Sequence, residues 1–450
     1  MIERAHYLSK LEEYLDTPLV KVIVGMRRSG KSVLLQQLGQ RLISKGIPQE
    51  NIIYFNFESL EWEHLTNYQE LYQEIARRAH ETKGRVYLLL DEVQEVASWE
   101  RAINSFRVDL DCDIFITGSN ERLLSGELAS LLTGRYVEIS IYPLSFAEHL
   151  EFQSIQYGAQ DISPESSPGI SPGASLAGSP NDSLAGSPNG SPNNSADAST
   201  SLSIQKTLQE SFEEYLWLGS LPGIHELPRD EQILRTYTKD VFNSILLKDV
   251  IRRNNLRDTE LLERLLRFLL DNLGQIFSAK SITDFLKSQR RSLGVETIYN
   301  YLAALERAFL IYKVPRFDIQ GKRQLETLEK YFVADHGVRH ALLGFDSHEI
   351  SGLLENVVYL ELLRRGYTVS VGKQGNQEVD FVANRLEVRR YIQVCYLLAN
   401  DDVINREFTP LRSIPDNHYK AVLSLDPIPA SNIDGILRIN IAHFLLDQSW

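Results

Sequence analysis

Three clusters in the first third of the chain combine residue types that handle phosphate. The first is GMRRSGKS, which sets Gly25, Gly30, Lys31 and Ser32 at the spacing G-x-x-x-x-G-K-S. Glycines at those two positions let the backbone turn tightly. The N–H groups of Arg28, Ser29, Gly30, Lys31, Ser32 and Val33 can then converge on phosphate oxygens. Lys31 would neutralise the β- and γ-phosphates of a nucleotide, and the Ser32 hydroxyl would take a position on Mg²⁺. The second cluster is VYLLLDE, an apolar run closed by Asp91 and Glu92. An aspartate so placed holds Mg²⁺ through water, and the adjacent glutamate can polarise the attacking water. The third is DIFITGSN, where Thr117, Ser119 and Asn120 end a further apolar run. A polar residue there, Asn120 in this reading, orients the lytic water. Beyond it, Arg122 and Arg135 flank the segment ERLLSGELASLLTGRY. Arg135 is the candidate for a neighbouring subunit's γ-phosphate, a role that requires a homo-oligomer; a local salt bridge is the other reading.

Chemistry of this kind needs a sheet whose strand ends meet. Strand-like runs at 21–25, 51–57, 86–91, 113–118 and 136–143 alternate with helical patterns such as LLQQLGQRLI and YQELYQEIARRA. That alternation predicts an α/β domain over 1–150 with a mostly parallel sheet covered on both faces. The stretch 151–205 differs in kind. Its core, 163–203, is rich in Ser, Pro, Gly and Asn, repeats the octet SLAGSPN(D/G) and has almost no large apolar residue. Such a piece cannot offset its ordering entropy and is expected to be a mobile insertion. Residues 206–335 read as helical, and strand signals return near residue 367, so that 336–450 reads as a small α/β domain.

Composition sets outer limits. Hydrophobic residues at 43% and charged residues at 24% suit a soluble globular chain of 450 residues with two to four domains. No apolar run reaches the roughly 18 residues of a membrane span. The first residues, MIERAHYLSKLEEYL, are charged and amphipathic, unlike a secretory signal. Cys112 and Cys395 sit in apolar segments far apart, which predicts free thiols in a reducing, cytoplasmic setting. The net charge of −13 opposes nucleic-acid binding by the chain as a whole. From Ser278 to Leu325, however, nine Lys or Arg face four Asp or Glu, a local balance of +5 that leaves −18 elsewhere.

Between 258 and 325, a span that includes this basic stretch, three helical patterns (TELLERLLRFLLDNL, SAKSITDFLKSQ, VETIYNYLAALERAFL) precede a predicted hairpin, IYKVPRFDIQGKRQL. A helix–turn–helix with a basic wing is the natural reading. Ser278 serves as an N-cap, and Val295, Ile298, Leu302, Leu305 and Phe309 form one apolar stripe. Thr297, Asn300 and Arg307 are left outward, with Lys287, Arg290, Arg291, Lys313, Arg316, Lys322 and Arg323 around them. Such a patch would bind DNA phosphates in a salt-dependent way. Winged helices also act as plain packing modules, and both readings stand.

GMRRSGKS, LLLDEVQEVASWE, ITGSNERLLSGELASLLTGRY, YPLSFAEHL and LLENVVYLELLRRGYTVSVGKQGNQEVDFV together resemble a prokaryotic AAA-type ATPase family that carries a C-terminal domain of unknown function. The resemblance implies ATP as the nucleotide and an AAA/ASCE-type P-loop NTPase sheet, with an extra strand between the P-loop strand and the Asp91 strand. It also implies a restriction-endonuclease-like fold for the last domain. There Glu355, Glu378-Val-Asp380 and Gln393-Val-Cys395 follow the order of restriction-like nucleases, with Cys395 where those enzymes carry lysine. Loss of that cation predicts weak or absent cleavage. Together these features predict a cytoplasmic ATPase that uses ATP and Mg²⁺ to gate a partner, DNA first among candidates, with no membrane. A non-hydrolysing switch and an ATP-regulated nuclease are the alternatives.

Overall fold

The computed structural model describes residues 2–120, 132, 134–157, 208–288, 294–344, 350–427, 429–448 and 450. Arg122, Arg290, Arg291 and the Ser/Pro/Gly/Asn-rich stretch 163–203 lie outside them.

Five strands build the N-terminal sheet: β1 (Val20–Val24), β2 (Ile52–Asn56), β3 (Val86–Asp91), β4 (Cys112–Gly118) and β5 (Tyr136–Ser140). Every neighbouring pair is parallel, in the order β2-β3-β4-β1-β5. β4 thus lies between β1 and β3, where the resemblance placed the extra strand. Every residue of β1 and β3 is buried, as continuous apolar runs in a sheet covered on both faces should be. The helix Lys31–Ser44 lies against one face through Leu34, Leu35 and Leu38. Tyr68–Glu81 and Trp99–Asp109 cover the other through Leu71, Ile75, Ile103 and Phe106. The side chain of Asn67 caps Tyr68–Glu81 by accepting the amides of Gln69 and Glu70, which fixes where that helix begins.

The middle of the chain is helical: Glu231–Ile245, a π-helical continuation Leu246–Arg252, then Thr259–Asp271, Ala279–Ser288 and Val295–Arg307. One apolar cluster holds them together, with Leu261, Leu262, Leu265, Leu266, Leu269 and Leu270 of a single helix at its centre. Ser278 caps its helix as expected, accepting the amide of Ser281 at 3.1 Å. Val295 departs from the expected apolar stripe and is 39% exposed, because it is the first residue of its helix and projects past the cluster. Arg307 is not turned outward: it donates to Asn254 Oδ1 at 2.8 Å.

The predicted hairpin forms as β6 (Ile311–Asp318) and β7 (Arg323–Val333), but not as a free wing. β6 pairs in parallel with β8 (Thr368–Gln374) and so joins a sheet that continues through β9 (Gln377–Arg385), β10 (Val388–Val394), β11 (Tyr419–Ser424), β13 (Ile436–Asn440) and β12 (Ser431–Ile433). The boundary expected at residue 335 therefore falls within one continuous sheet. An edge strand's unpaired N–H and C=O groups are satisfied by the next strand, whatever domain supplied it. The boundary at 150 is crossed as well. Phe146, Phe212 and Tyr215 are buried with Val357, Val358 and Leu360 of the helix Ile350–Arg364. The loop after β5 ties the regions together. Arg364 donates to the carbonyls of Pro143 and Leu144 at 3.0 and 3.1 Å, and the Leu144 amide donates to Ser220 O at 2.7 Å.

Candidate functional site

β1, β3 and β4 end side by side, so the three polar clusters meet at one edge of the sheet. Gly25 leaves β1 at φ +150°, and a Cβ there would sit 2.1 Å from the Ile141 carbonyl oxygen. Only glycine fits. Gly30, at φ +98°, caps the helix Lys31–Ser44 without a side chain, so the first N–H groups of that helix have no intrahelical acceptor. The Ser29 hydroxyl is buried with no hydrogen-bond partner. Unspent donors at a helix N-terminus, an orphaned hydroxyl and a buried lysine together fit a nucleotide's phosphates. Arg28, at φ +69°, and Val33 lie at the exposed rim of this cradle.

Lys31 is 4% exposed and donates to the carbonyls of Gly25 and Met26 at 3.0 and 3.1 Å. Burial holds its pKa below the ordinary lysine value; Glu92 Oε1, 3.9 Å away, and Asp91 pull the other way. Asp91 is fully buried, and burial raises its pKa against the hydrogen bonds of Thr117 and Ser32. Ser32 and Asp91 are therefore in contact, the pair that would hold Mg²⁺. Thr117 aligns both carboxylates: its hydroxyl donates to Asp91 Oδ1 and accepts the Glu92 amide at 2.9 Å. Glu92 sits in the left-handed region at φ +54°, a strained position for a residue with a side chain. Ser119 donates to Glu92 Oε2 at 3.2 Å, and Gln94 donates to the same oxygen. Tyr54 OH reaches Asp91 Oδ2 at 3.3 Å. The side chains that hold the carboxylates are thus Thr117, Ser119, Gln94 and Tyr54, while Asn120 is buried at the end of the same strand.

Arg135 lies elsewhere. It precedes β5, its carbonyl accepts the Val20 amide, and so it occupies the opposite end of the sheet from Gly25. It is exposed there and does not reach its own subunit's cradle.

Two further groups complete the site, and no local spacing announces either. Arg4 donates to Ser29 O at 2.8 Å, to Tyr142 O at 3.0 Å and to both oxygens of Glu148 at 2.7 and 2.8 Å, pinning the loop from outside. Asp249, buried in the π-helical segment, accepts from Arg27 Nε at 3.1 Å, while Arg27 Nη1 reaches Glu58 at 2.7 Å.

A second cluster of charge lies in the C-terminal sheet. Glu355, Glu378 and Asp380 come together around one buried cation. The cation taken as lost with Cys395 is supplied from β7: Lys330 Nζ stands 2.8 Å from Glu355, 2.6 Å from Glu378 and 3.5 Å from Asp380. The expectation of a site without a lysine is therefore corrected; a strand from the preceding region delivers it. Burial pushes Asp380 up to about 6 and Glu355 well above its usual value, while the carboxylates raise Lys330. Among the described residues no group of three His, Cys, Asp or Glu is arranged to hold a metal ion. Both cysteines are free thiols. No described helix is long and apolar enough to cross a membrane.

The fold and this site define a P-loop ATPase of the AAA type. Residues 17–150 match an AAA domain family, and residues 209–349 match a domain of unknown function (DUF8612). An uncharacterized protein of Haemophilus influenzae is 36% identical over 446 residues, spanning 99% of both chains. Uncharacterized protein MJ1544 of Methanocaldococcus jannaschii is 30% identical over 385 residues, 84% of this chain and 75% of that one. The chain belongs to the same family as these two proteins. Among solved structures it is similar to the Walker-type ATPase PABY2304 of Pyrococcus abyssi, at 16% identity and a TM-score of 0.47 over 76% of this chain and 96% of that one. Similarity to the Aeropyrum pernix ORC1 protein, solved in complex with DNA, is 14% identity and a TM-score of 0.31 over 76% and 92% of the two chains.

Proposed function

We propose that the protein hydrolyses ATP and uses turnover to gate engagement of a partner, and that this partner is DNA. One observation carries the hydrolytic reading: Glu92 is held beside Asp91 and Lys31 by Thr117, Ser119 and Gln94, with its carboxylate fixed at the phosphate end of the sheet. A nucleotide switch that rarely hydrolyses has no need of a carboxylate aligned at this cost in backbone strain. Mg²⁺, bound through Ser32 and Asp91, would shield phosphate charge. Glu92 accepts a proton from water, the water oxygen bonds to the γ-phosphorus, and the bond from that phosphorus to the ADP oxygen breaks. Lys31 and the amides of residues 28–33 hold the oxygens on which charge accumulates. Asn120 orients the water, and Arg135 acts on a neighbouring subunit's nucleotide in a homo-oligomer.

DNA as partner is favoured by charge and by the order of elements. Three helices followed by a hairpin, with Phe277 and Glu329 exchanging backbone hydrogen bonds across the hairpin's outer edge, support the winged-helix reading. Lys322 and Arg323 are exposed at the hairpin's tip. The C-terminal domain, with its Glu355–Asp380–Gln393 order retained, supports a restriction-endonuclease-like fold acting as a docking surface.

The test is steady-state ATP turnover with and without duplex DNA. Glu92→Gln should bind MgATP nearly as wild type does while turning over about 10²–10⁴-fold more slowly. Wild-type protein that binds ATP without turning it over would favour the switch. Turnover indifferent to DNA would remove DNA as the gated partner.

A further inference from the structure

Asp249 is out of place as a surface helix residue. It is fully buried, it belongs to the helical middle region, and it faces the phosphate loop of the AAA domain. Its carboxylate accepts from Arg27 at 3.1 Å and is paired with Arg253 at 3.3 Å. Ser119, which also holds Glu92, approaches Oδ1, the oxygen that faces Arg253, at 3.5 Å. Arg253 in turn reaches Glu95 at 3.2 Å, three residues after Glu92. Lys31 feels both charges, Arg27 lowering its pKa and Asp249 raising it. One carboxylate therefore touches the phosphate loop and the tip of β4, and through Arg253 the turn after β3.

The backbone that carries Asp249 is also unusual. Leu246–Arg252 is wound as π-helix, a form that is rare, less stable than α-helix and concentrated at functional sites. Just beyond it, Asn254 donates to Val250 O and accepts from Arg307 at 2.8 Å each, and Arg307 ends the helix Val295–Arg307. A continuous polar route thus runs from the P-loop to the helix Val295–Arg307 of the helical middle region.

We propose that Asp249 is a positioning residue of the ATP site, and that ATP and Asp249 compete for Arg27. This rests on the ATP-binding reading above. The incoming triphosphate draws Arg27 toward itself, because a dense negative charge outbids a single carboxylate. Asp249 then keeps Arg253 but loses the other of its two arginine counter-charges, the π-helical segment loosens, and Asn254 and Arg307 pass the change to Val295–Arg307. A ligand shifts an equilibrium only by its differential affinity for the two states, so ATP and ADP must differ here. By reciprocity, whatever weakens the Arg27–Asp249 pair must tighten ATP binding by the factor through which ATP weakens the pair.

The experiment uses the full chain with Glu92→Gln to prevent turnover. Binding of a fluorescent ATP analogue is measured first, and then amide hydrogen exchange without nucleotide, with MgATP and with MgADP. Exchange over 246–254 and 295–307 should rise several-fold with MgATP and stay near the nucleotide-free level with MgADP. Adding Asp249→Asn should bring exchange to the ATP level without nucleotide and tighten ATP binding about tenfold; Asp249→Glu, which keeps the charge, should restore part of the difference. ATP bound at saturation with unchanged exchange in both segments overturns the inference while leaving the ATP site intact. Failure to bind ATP overturns both. If Asp249→Asn does not fold, the exchange comparison on the charge-retaining protein still decides.

Discussion

Lys31 and Lys330 are both buried and both lie near carboxylates, yet their pKa values are pushed in opposite directions. Lys31 donates to neutral carbonyls, its nearest carboxylate oxygen is 3.9 Å away, and burial lowers its pKa. Lys330 has three carboxylates within 3.5 Å, and they raise its pKa although it is as deeply enclosed. The first is a cation short of an anion; the second already has more negative charge than it can balance. A buried charge left under-compensated costs stability and is kept where a ligand will complete it. A buried charge fully surrounded is part of the structure. The contrast separates a site that binds from a site that holds the sheet to its helix.

The sharpest way to break this contrast is to remove each lysine. Lys31→Ala should abolish detectable ATP binding with little change in the thermal midpoint, since it removes the compact cation buried at the centre of the cradle. Lys330→Ala should leave ATP binding near wild type and lower stability by about 3–5 kcal/mol, because it strands buried carboxylates without their partner. A swap of these outcomes, read by nucleotide titration and chemical denaturation, would invert the assignment.

A smaller effect is expected where the two sites report to the surface. Changing Lys322 and Arg323 to Glu should weaken DNA binding and flatten its salt dependence by about two phosphate contacts' worth of counterion release. ATP binding should be untouched. An unchanged salt slope would move the nucleic-acid surface away from the hairpin.

Acid titration sharpens the C-terminal half. Asp380 ionises near pH 3.8 when unfolded and near 6 in the fold, mainly because it is buried. Raising the pH from about 4 to 6 therefore ionises the unfolded state first and costs folded stability, and above 6 nothing more is lost. Asp380→Asn should gain stability over wild type across that window and no further above it. A difference that stays flat with pH would show that Asp380 is not held in this condition.

The last expectation is a null effect. Plasmid and oligonucleotide substrates should remain intact with Mg²⁺ or Mn²⁺, with or without ATP, because Lys330 already occupies the space among the carboxylates. Cleavage that disappears in Asp380→Ala would show that this cluster opens and works as a catalytic centre.

The N-terminal sheet was legible because its signals are local. VYLLLD spans 86–91 in sequence and in structure, and the KVIVG strand shifts by one residue to Val20–Val24. A glycine pattern joined to a strand and a helix fixes its own geometry over a dozen residues. Long-range partners leave no such trace. Asp249 lies 222 residues from Arg27, and Lys330 lies 25 from Glu355 and on a strand assigned to another region. The hairpin was foreseen as a hairpin, but its fate as part of an eight-stranded sheet depended on β8, which begins at Thr368, well beyond the hairpin's end at Val333. The three strands and two helices after residue 395 carry weak periodicity and entered no expectation. Charge pairing and strand adjacency are decided by tertiary packing, where sequence spacing says little.

Arg4 imposes an order on synthesis. Its side chain is the outer clamp of the phosphate loop, and its carboxylate partner, Glu148, is 144 residues downstream. At typical elongation rates of about 5–20 residues per second, the ribosome adds Glu148 roughly 7–30 seconds after Arg4. Until then the guanidinium lacks its counter-ion, and the loop it will pin has the glycine turn but not the clamp. The nascent chain can therefore lay down its sheet early and close its nucleotide cradle late, after the fifth strand and the loop behind it have left the tunnel.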